Sequence, residues 1–318
     1  MKALWLEDRQ LRTRGDLPLP QTSTDEALVR VLQAGICNTD LEMVEGYYPF
    51  SGVPGHEFVG LVEDGPSKLV GRRVVGEINT RCGDCVSCRR GLETHCDNRT
   101  VLGIAGRDGA FAEYLSLPSE NLHLVPEEVT TDAATFTEPL AAAVHILQQI
   151  PIEPTDNVVV VGNGKLGQLI AQIVALTGCH LEVVGRRPSH ARYLRHRGIE
   201  TRLAEEVQPA SYDIAVECTG NPAGFETALR AFRPLGTMVM KRTYAGNLEL
   251  DSSSLVVREI TVIGSRCGPF APALQLLKDG EIEVESLIEA RYPLQEGLAA
   301  FEHARRPGAL KIVLEITD

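Results

Sequence analysis

The spacing of apolar residues changes partway along the chain. Over the first third, short runs of β-like residues are separated at close intervals by glycine and proline, which is typical of a compact antiparallel barrel or sandwich. Strands are predicted within residues 26–37, 57–64, 71–78 and 110–118. The following segment, 131–150, is alanine-rich with helical spacing and predicts a helix that begins near Pro139.

Beyond residue 156, strands and helices are expected to alternate. The apolar run at 158–161 is typical of a strand buried on both faces. Further strands are predicted within 181–187, 212–220, 236–241 and 258–265, with helices at 190–198 and 224–236 between them. This alternation favours right-handed β–α–β units and a doubly wound parallel sheet. Two helical pieces and a closing strand are predicted in 269–318.

Composition limits the class of protein. The 318 residues are enough for two domains, and 43% hydrophobic and 23% charged residues are normal for a soluble globular protein. A net charge of −12 argues against nucleic acid or an anionic membrane as the main partner. Because no signal-peptide core and no run of about eighteen apolar residues is found, a cytoplasmic location is expected.

Four cysteines lie close together in the sequence: Cys82, Cys85, Cys88 and Cys96. In a reducing compartment such spacing favours four thiolates around one tetrahedral Zn²⁺. An iron–sulfur cluster is the main rival, although the ferredoxin pattern has a different last gap followed by proline. Disulfides or idle thiols are the third possibility. With all four ligands supplied by cysteine, this zinc would be structural, since no position is left for a substrate.

A glycine pattern follows the apolar run directly. Gly162, Gly164 and Gly167 enclose Lys165 and Leu166, with a strand pattern before them and a helical pattern after them. In that context the glycines allow a tight turn, close approach of a pyrophosphate and close helix packing. A dinucleotide site is therefore predicted, with a plain tight turn as the alternative.

The end of the next strand bears on the choice of cofactor. An NAD site would place Asp or Glu there to bind the ribose 2′-hydroxyl, whereas this chain has Gly185, Arg186 and Arg187. Glu182 lies too early, inside the strand. Two guanidinium groups without a carboxylate favour the 2′-phosphate of NADP over NAD. The alternative is that the arginines only solvate a turn.

A second metal site is predicted from Cys37, His56, Glu57 and Glu138, which are distant in sequence. Each alone has an ordinary structural explanation, such as a small core cysteine. Together they supply one thiolate, one imidazole and one or two carboxylates, a set that can hold Zn²⁺ with one position open. Such zinc would activate an alcohol towards hydride loss, and Thr39 is a candidate to begin the proton relay.

The motifs GICNTD, GHE, the four-cysteine lobe, EPLA and GNGKLG-to-ECTG occur in this order. Over essentially the whole chain they resemble the zinc-dependent medium-chain alcohol and polyol dehydrogenases. The resemblance implies a GroES-like catalytic domain (1–150, with the zinc lobe at 81–97), a Rossmann domain (151–268) and a C-terminal segment (269–318) that returns to the catalytic domain. It also implies an active site in the cleft between the domains.

The resemblance assigns roles to residues that match the family motifs. Cys37 and His56 match catalytic zinc ligands, and Glu57 and Glu138 match the carboxylates of the polyol, threonine and glucose dehydrogenase branch. Thr39 matches the relay hydroxyl, and Asp40 matches a carboxylate that orients the ligands. The four clustered cysteines match the structural lobe, so two zinc ions per chain are implied. The loops containing Cys218, Thr219 and Gly220, and Ser265 and Arg266, are expected to flank the nicotinamide.

Two features depart from the usual family pattern. Glu42 stands where many relatives have a relay histidine. Glu42 and the pair Arg186 and Arg187 together resemble the pattern of the NADP-linked glucose dehydrogenases. The loop between Cys37 and His56 is short, so a differently shaped pocket is expected. Tyr47, Tyr48 and Phe50 are candidates to line it, although packing of the barrel explains them equally well.

The leading hypothesis is a zinc-dependent, NADP-preferring oxidoreductase acting on a secondary hydroxyl of a small alcohol, polyol or sugar. A metal-free quinone reductase of the same fold and a catalytically silent zinc-stabilised protein remain as alternatives. A homodimer or homotetramer is expected, with residues 258–265 as a candidate interface.

Overall fold

The computed structural model describes residues 1–243 and 247–317, which form two compact units. The first unit combines Met1–Glu138 with Phe270–Asp318, and the second is Pro139–Pro269. The helix predicted within 131–150 therefore belongs largely to the second unit. The domain boundaries at 150 and 268 remain predictions.

The elements up to residue 150 are mostly short strands. The strands are β1 (Ala3–Glu7), β2 (Gln10–Arg14), β3 (Glu26–Ile36), β4 (Glu57–Asp64), β5 (Arg73–Gly76), β6 (Asn79–Thr80), β7 (Thr100–Leu102), β8 (Gly106–Arg107), β9 (Tyr114–Pro118) and β10 (Leu122–Leu124). The helices are α1 (Asn38–Val44), α2 (Val86–Arg89), α3 (Thr131–Ala134) and α4 (Thr137–Gln149). The predicted helix is thus two helices, and Pro139 lies in the first turn of α4, where it is tolerated.

The later elements alternate as predicted. The strands are β11 (Asn157–Val161), β12 (His180–Val184), β13 (Glu200–Arg202), β14 (Tyr212–Glu217), β15 (Phe232–Met240), β16 (Thr261–Gly264), β17 (Ile288–Pro293) and β18 (Lys311–Glu315). The helices are α5 (Lys165–Ala175), α6 (Pro188–His196), α7 (Pro222–Ala231), α8 (Ser252–Val257), α9 (Phe270–Lys278) and α10 (Gly297–Ala304). Within the described ranges, no helix is both long and apolar enough to cross a lipid bilayer.

The main sheet of the first unit has the order β10-β5-β4-β3-β18-β17, and β9 also pairs with β3. Alternate side chains of β3 are buried over most of its length, as expected where one face of a strand covers a core. Strand β18 pairs antiparallel with β3, with Ile312 opposite Ile36. This register brings Lys311, at the start of β18, next to the end of β3.

The second unit contains a fully parallel sheet with the order β13-β12-β11-β14-β15-β16, which confirms the predicted doubly wound sheet. Strand β11 lies at its centre, and residues 158–161 are at most 3% exposed. The carboxyl ends of these strands meet at one edge, where dinucleotides bind in such folds.

Two boundary predictions are wrong. The helix predicted to extend to residue 236 ends at Ala231, and residues 232–236 begin β15. Pro234 explains the difference, because proline cannot continue the hydrogen bonding of a helix interior. Strand β12 likewise ends before the predicted residue 187, because Pro188 starts α6.

Candidate functional site

Adjacent strands bring Cys37, His56 and Glu57 together. Cys37 follows the last residue of β3 and precedes α1, while His56 directly precedes β4 and Glu57 is its first residue. These strands are antiparallel with Gly35 opposite Glu57, so both segments lie at the same end of the sheet. Each of the three side chains offers a ligand atom, and these atoms all lie within 4.8 Å of one another. The group has the composition and spacing of a metal site.

Asp40 lies behind this group and is fully buried. Its Oδ2 accepts a hydrogen bond from the Cys37 backbone N–H at 2.8 Å, and its Oδ1 lies 3.1 Å from His56 Nδ1. Burial lowers the pKa of His56, but the carboxylate of Asp40 and then Cys37 more than offset this and hold it well above its usual range. Metal-binding histidines commonly present one ring nitrogen to a carboxylate, and here Nε2, once it has lost its proton, would be left to bind the ion.

The side chains of Glu57 and Lys311 form a buried ion pair, with exposures of 1% and 3%. Burial lowers the pKa of Lys311, but Glu57 and then Cys37 raise it above its ordinary value. Sequence reasoning missed Lys311. A single charge in the otherwise apolar run LKIVL was the signal, because a buried charge needs a partner. The pair gives Glu57 a second possible role, as the counter-ion of Lys311.

The remaining predicted residues of this site lie at different distances from it. The Cys37 thiol donates to Thr39 Oγ1 at 3.8 Å, and Asn38 Nδ2 donates to Glu42 Oε1 at 2.6 Å within α1. Glu138, in the first turn of α4, is not a member of the close group. Tyr47 and Tyr48 are each about half exposed and Phe50 is partly buried, so their lining of the pocket stays a prediction.

The sulfur atoms of the four clustered cysteines all lie within 4.8 Å of one another. Cys96 Sγ lies 3.5 Å from Cys82 Sγ and 3.8 Å from Cys85 Sγ. Ligands of a tetrahedral zinc with Zn–S bonds of about 2.3 Å are about 3.8 Å apart, whereas a disulfide requires about 2.05 Å. All eight cysteines of the chain are free thiols, so the disulfide alternative is wrong. The four sulfur atoms fit one tetrahedral ion.

The surroundings of these thiols shift the pKa values of Cys85 and Cys88 in opposite directions. Backbone N–H groups of Cys88 and Asp97 lower the pKa of Cys85 to about 7. Burial and a hydrogen bond with Cys85 raise the pKa of Cys88 to about 12. A Cys85 thiol that is partly ionised near neutral pH suits metal binding, since thiolates are the ligands.

The glycine loop has the shape expected of a dinucleotide cradle. Gly162 has φ +123°, a conformation that side chains rarely adopt. A Cβ at Gly167 would meet the Gly162 carbonyl oxygen at 1.9 Å, whereas a Cβ at Gly164 would meet no atom within 4 Å. Gly164 precedes α5, which begins with Lys165 and Leu166. The open space above Gly164 and the helix N-terminus fit a pyrophosphate.

The end of β12 shows which groups are available to a ribose. The Glu182 carboxylate accepts from Arg202 at 2.7 and 2.8 Å and from the Tyr212 hydroxyl at 2.5 Å, so it is already engaged. Arg186 is exposed and Arg187 is half-buried. Asn163, inside the glycine loop, donates through Nδ2 to the Arg187 backbone oxygen at 2.9 Å. This bond fixes the arginine segment beside the glycine loop.

The predicted nicotinamide-side residues lie at the same edge of the sheet. Cys218 follows β14 and donates its thiol to the Val161 carbonyl at 3.2 Å, while Ser265 follows β16 and is buried. Two buried charged residues hold the segments around them: Glu217, the first residue of the ECTG motif, and Lys241, which sequence reasoning missed. The sequence feature that could have indicated such a buried residue was again a single charge at the end of an apolar strand.

Two family models match the chain. The alcohol dehydrogenase GroES-like domain matches residues 23–127, and the zinc-binding dehydrogenase domain matches residues 166–279. Among curated proteins, an L-threonine 3-dehydrogenase of Streptomyces coelicolor is 30% identical, with 95% of both chains covered. A D-arabitol-phosphate dehydrogenase of Enterococcus avium is 29% identical over 94% of this chain and 92% of its own.

Solved structures agree. A putative zinc-binding dehydrogenase from Sinorhizobium meliloti 1021 bound to NADP superposes with a TM-score of 0.91 at 27% identity, covering 99% of this chain and 98% of its own. The matches extend over both units. The chain therefore belongs to the zinc-dependent medium-chain alcohol and polyol dehydrogenase family, and it is an NAD(P)-linked dehydrogenase of that family.

Proposed function

We propose that this protein is an NADP-preferring, zinc-dependent oxidoreductase that transfers hydride between nicotinamide and the secondary hydroxyl of a polyol, sugar or related alcohol. The observation that carries the proposal is the close grouping of Cys37, His56 and Glu57 in front of Asp40. The relatives named for threonine and arabitol phosphate oxidation support this substrate class. In both named substrates the hydroxyl lies on a carbon chain with other polar groups.

Cys37 and His56 would hold the catalytic zinc, with Glu57 or Glu138 as the carboxylate partner. The metal, when bound, supplies Lewis acidity that lowers the pKa of an alcohol and polarises a carbonyl. Asp40 holds the His56 ring with Nε2 available, and this orientation supports ligand binding. Because Glu57 is paired with Lys311, Glu138 is the carboxylate we favour as the direct zinc ligand.

Thr39, whose hydroxyl lies near the Cys37 sulfur, would accept the proton of the alcohol at Oγ1 and release its own hydroxyl proton to water. We propose no histidine in the proton relay. Where many relatives have the relay histidine, this chain has Glu42, which accepts a hydrogen bond from Asn38. Glu42 would instead help to fix the start of α1.

The nicotinamide cofactor supplies hydride chemistry, and the chain supplies orientation. Gly162, Gly164 and Gly167 would admit the pyrophosphate, and the α5 N-terminus would bind it. Arg186 and Arg187 would bind the 2′-phosphate of NADP. No Asp or Glu stands at the end of β12, and this supports NADP over NAD; Glu182, earlier on the strand, is already engaged by Arg202 and Tyr212.

The four-cysteine lobe would hold the structural zinc, which fits the free state and spacing of its sulfur atoms. The same free thiols support a reducing, cytoplasmic location. A homodimer or homotetramer is also proposed. Strand β16 ends the parallel sheet, and Val262 on it and Val256 and Val257 on α8 are exposed, which suits an interface between copies.

The experiment is a screen of polyols, sugar alcohols, aldoses and amino alcohols with NADP⁺ and NAD⁺, using wild type, Cys37→Ala and Arg186→Ala/Arg187→Ala. We expect activity with wild type only for a secondary hydroxyl, loss of about 100-fold or more in Cys37→Ala, and a selective loss with NADP⁺ in the arginine variant. Activity that persists in Cys37→Ala, above all with quinones, would support the metal-free alternative. A higher kcat/KM with NAD⁺ in wild type would refute the NADP preference.

A further inference from the structure

Lys241 is a buried cation at the carboxyl edge of the parallel sheet for which the proposed function has no role. It directly follows β15 and is 7% exposed. Its Nζ donates to Ser265 Oγ at 2.9 Å and to the Arg266 backbone oxygen at 2.6 Å. Both acceptors belong to the segment that follows β16, the neighbouring strand.

The choice of lysine here carries an energetic cost. Removing an ammonium group from water is unfavourable unless its donors are used, and an apolar residue of similar size often stabilises a buried position as well or better. The need to fill a buried position therefore does not explain why this residue is a lysine. Its hydrogen bonds fix the position of one specific segment, residues 265–266, against the end of β15.

The next residue, Arg242, contacts the segment after β14, the strand on the other side of β15 from β16. Its Nη1 donates to the Thr219 backbone oxygen at 3.3 Å, in the segment that follows β14. On that strand, the buried Glu217 carboxylate accepts from the Thr219 backbone N–H at 2.6 Å. The segments after β14 and β16 are thus both attached to consecutive residues at the end of β15.

These segments lie on one side of the glycine loop. In a doubly wound sheet the pyrophosphate lies at the first β–α turn, here after β11, and the ribose of the adenosine lies by the end of the next strand, β12. Strands β14, β15 and β16 are on the other side of β11. Their carboxyl ends therefore face the nicotinamide half of a bound dinucleotide.

We propose that Lys241 is a positioning residue for the nicotinamide half of the dinucleotide site, acting through Ser265 and Arg266. The inference rests on the proposed dinucleotide function. Lys241 holds the 265–266 segment in its binding conformation before the cofactor arrives, which lowers the ordering cost of binding. It has no role in binding the adenosine half.

The test compares a whole dinucleotide with a fragment. Affinities of wild type, Lys241→Met and Ser265→Ala are measured by isothermal titration calorimetry for NADPH and 2′,5′-ADP, and for NADH and 5′-AMP. The pair that wild type binds more tightly is used. Lys278→Met, which removes a lysine charge from the other compact unit, is the matched control.

We expect Lys241→Met to weaken dinucleotide binding by about tenfold or more and to leave fragment binding within about twofold. Ser265→Ala, which keeps the Arg266 acceptor, should show a smaller loss of about threefold with the same selectivity. Unchanged dinucleotide binding in Lys241→Met, or equal loss of dinucleotide and fragment, would overturn the inference. Should Lys241→Met not fold, the selectivity of Ser265→Ala decides in the same way. If wild type binds no dinucleotide or fragment, the proposed function itself fails.

Discussion

Glu57 and Lys311 are 254 positions apart in sequence, yet their side chains form an ion pair that is almost fully buried. Strands β3, β4 and β18 lie side by side, and this arrangement makes the contact possible. The pair lies beside Cys37 and joins the C-terminal strand to the candidate metal centre. It is therefore a structural link as well as an electrostatic one.

Breaking this pair should destabilise the first unit. Lys311→Met leaves the Glu57 carboxylate buried without its cation, and we expect the free energy of unfolding to fall by about 3–5 kcal/mol. Adding Glu57→Gln should recover most of the loss, because the uncompensated charge is removed. Urea denaturation of the zinc-free protein measures both effects. Lys278→Met, at an exposed position, should change stability by about 0.5 kcal/mol or less. Wild-type stability in Lys311→Met would contradict the prediction.

The amount of zinc bound by cysteine variants should distinguish the catalytic site from the structural site. Cys37→Ala is expected to reduce bound zinc from about two to about one equivalent per chain while leaving the thermal midpoint nearly unchanged. Cys85→Ala should remove the other equivalent and lower the midpoint, because a structural zinc contributes directly to folding. Mass spectrometry of the metal and calorimetry of the same samples give both readouts. Cys179→Ala is the control, since this thiol belongs to neither group; a loss of zinc in it would argue against the assignment.

Two glycines of the same loop should respond differently to alanine. Gly167→Ala forces a methyl group against the Gly162 carbonyl and should cost about 1–3 kcal/mol of stability. Gly164→Ala meets no neighbouring atom, so stability should change by about 0.5 kcal/mol or less, while NADPH binding should weaken by about tenfold as the methyl occupies the pyrophosphate cradle. Chemical denaturation and calorimetric titration check the two halves. Full NADPH affinity in Gly164→Ala would place the phosphates elsewhere.

The Glu182–Arg202 pair should contribute to acid sensitivity. Burial raises the pKa of Glu182, but hydrogen bonds from Arg202 and Tyr212 outweigh it and hold the pKa below its usual 4.5. Its stabilising contribution is therefore complete above about pH 4.5 and is lost as the pH falls through the lowered folded-state value. Unfolding measured from pH 7 to 3 should show a shallower loss of stability for Glu182→Gln than for wild type. The exposed Glu226→Gln should follow the wild-type curve, and parallel curves for all three proteins would refute the assignment.

Local sequence determined much of this protein. The spacing of apolar residues and the positions of glycine and proline predicted strands β3 and β4, the alternation of strands and helices in the second half, and the glycine turn. These features depend on neighbours within a few residues. The cysteine spacing predicted a single cluster for the same reason, since four thiols within a short loop can reach one ion. The helix predicted through 224–236 shows the limit of this reasoning, because one proline changed the element.

Tertiary structure decided which side chains meet. The sequence named Cys37, His56 and Glu57 but gave no indication that Lys311 would pair with Glu57, because strand register between distant segments is set by the packing of the whole sheet. Lys241 is a similar case, since only the order of strands in the parallel sheet brings it to Ser265 and Arg266. Chain neighbours determine local conformation and motif chemistry, whereas buried charges are matched through space, and that matching exists only in the folded protein.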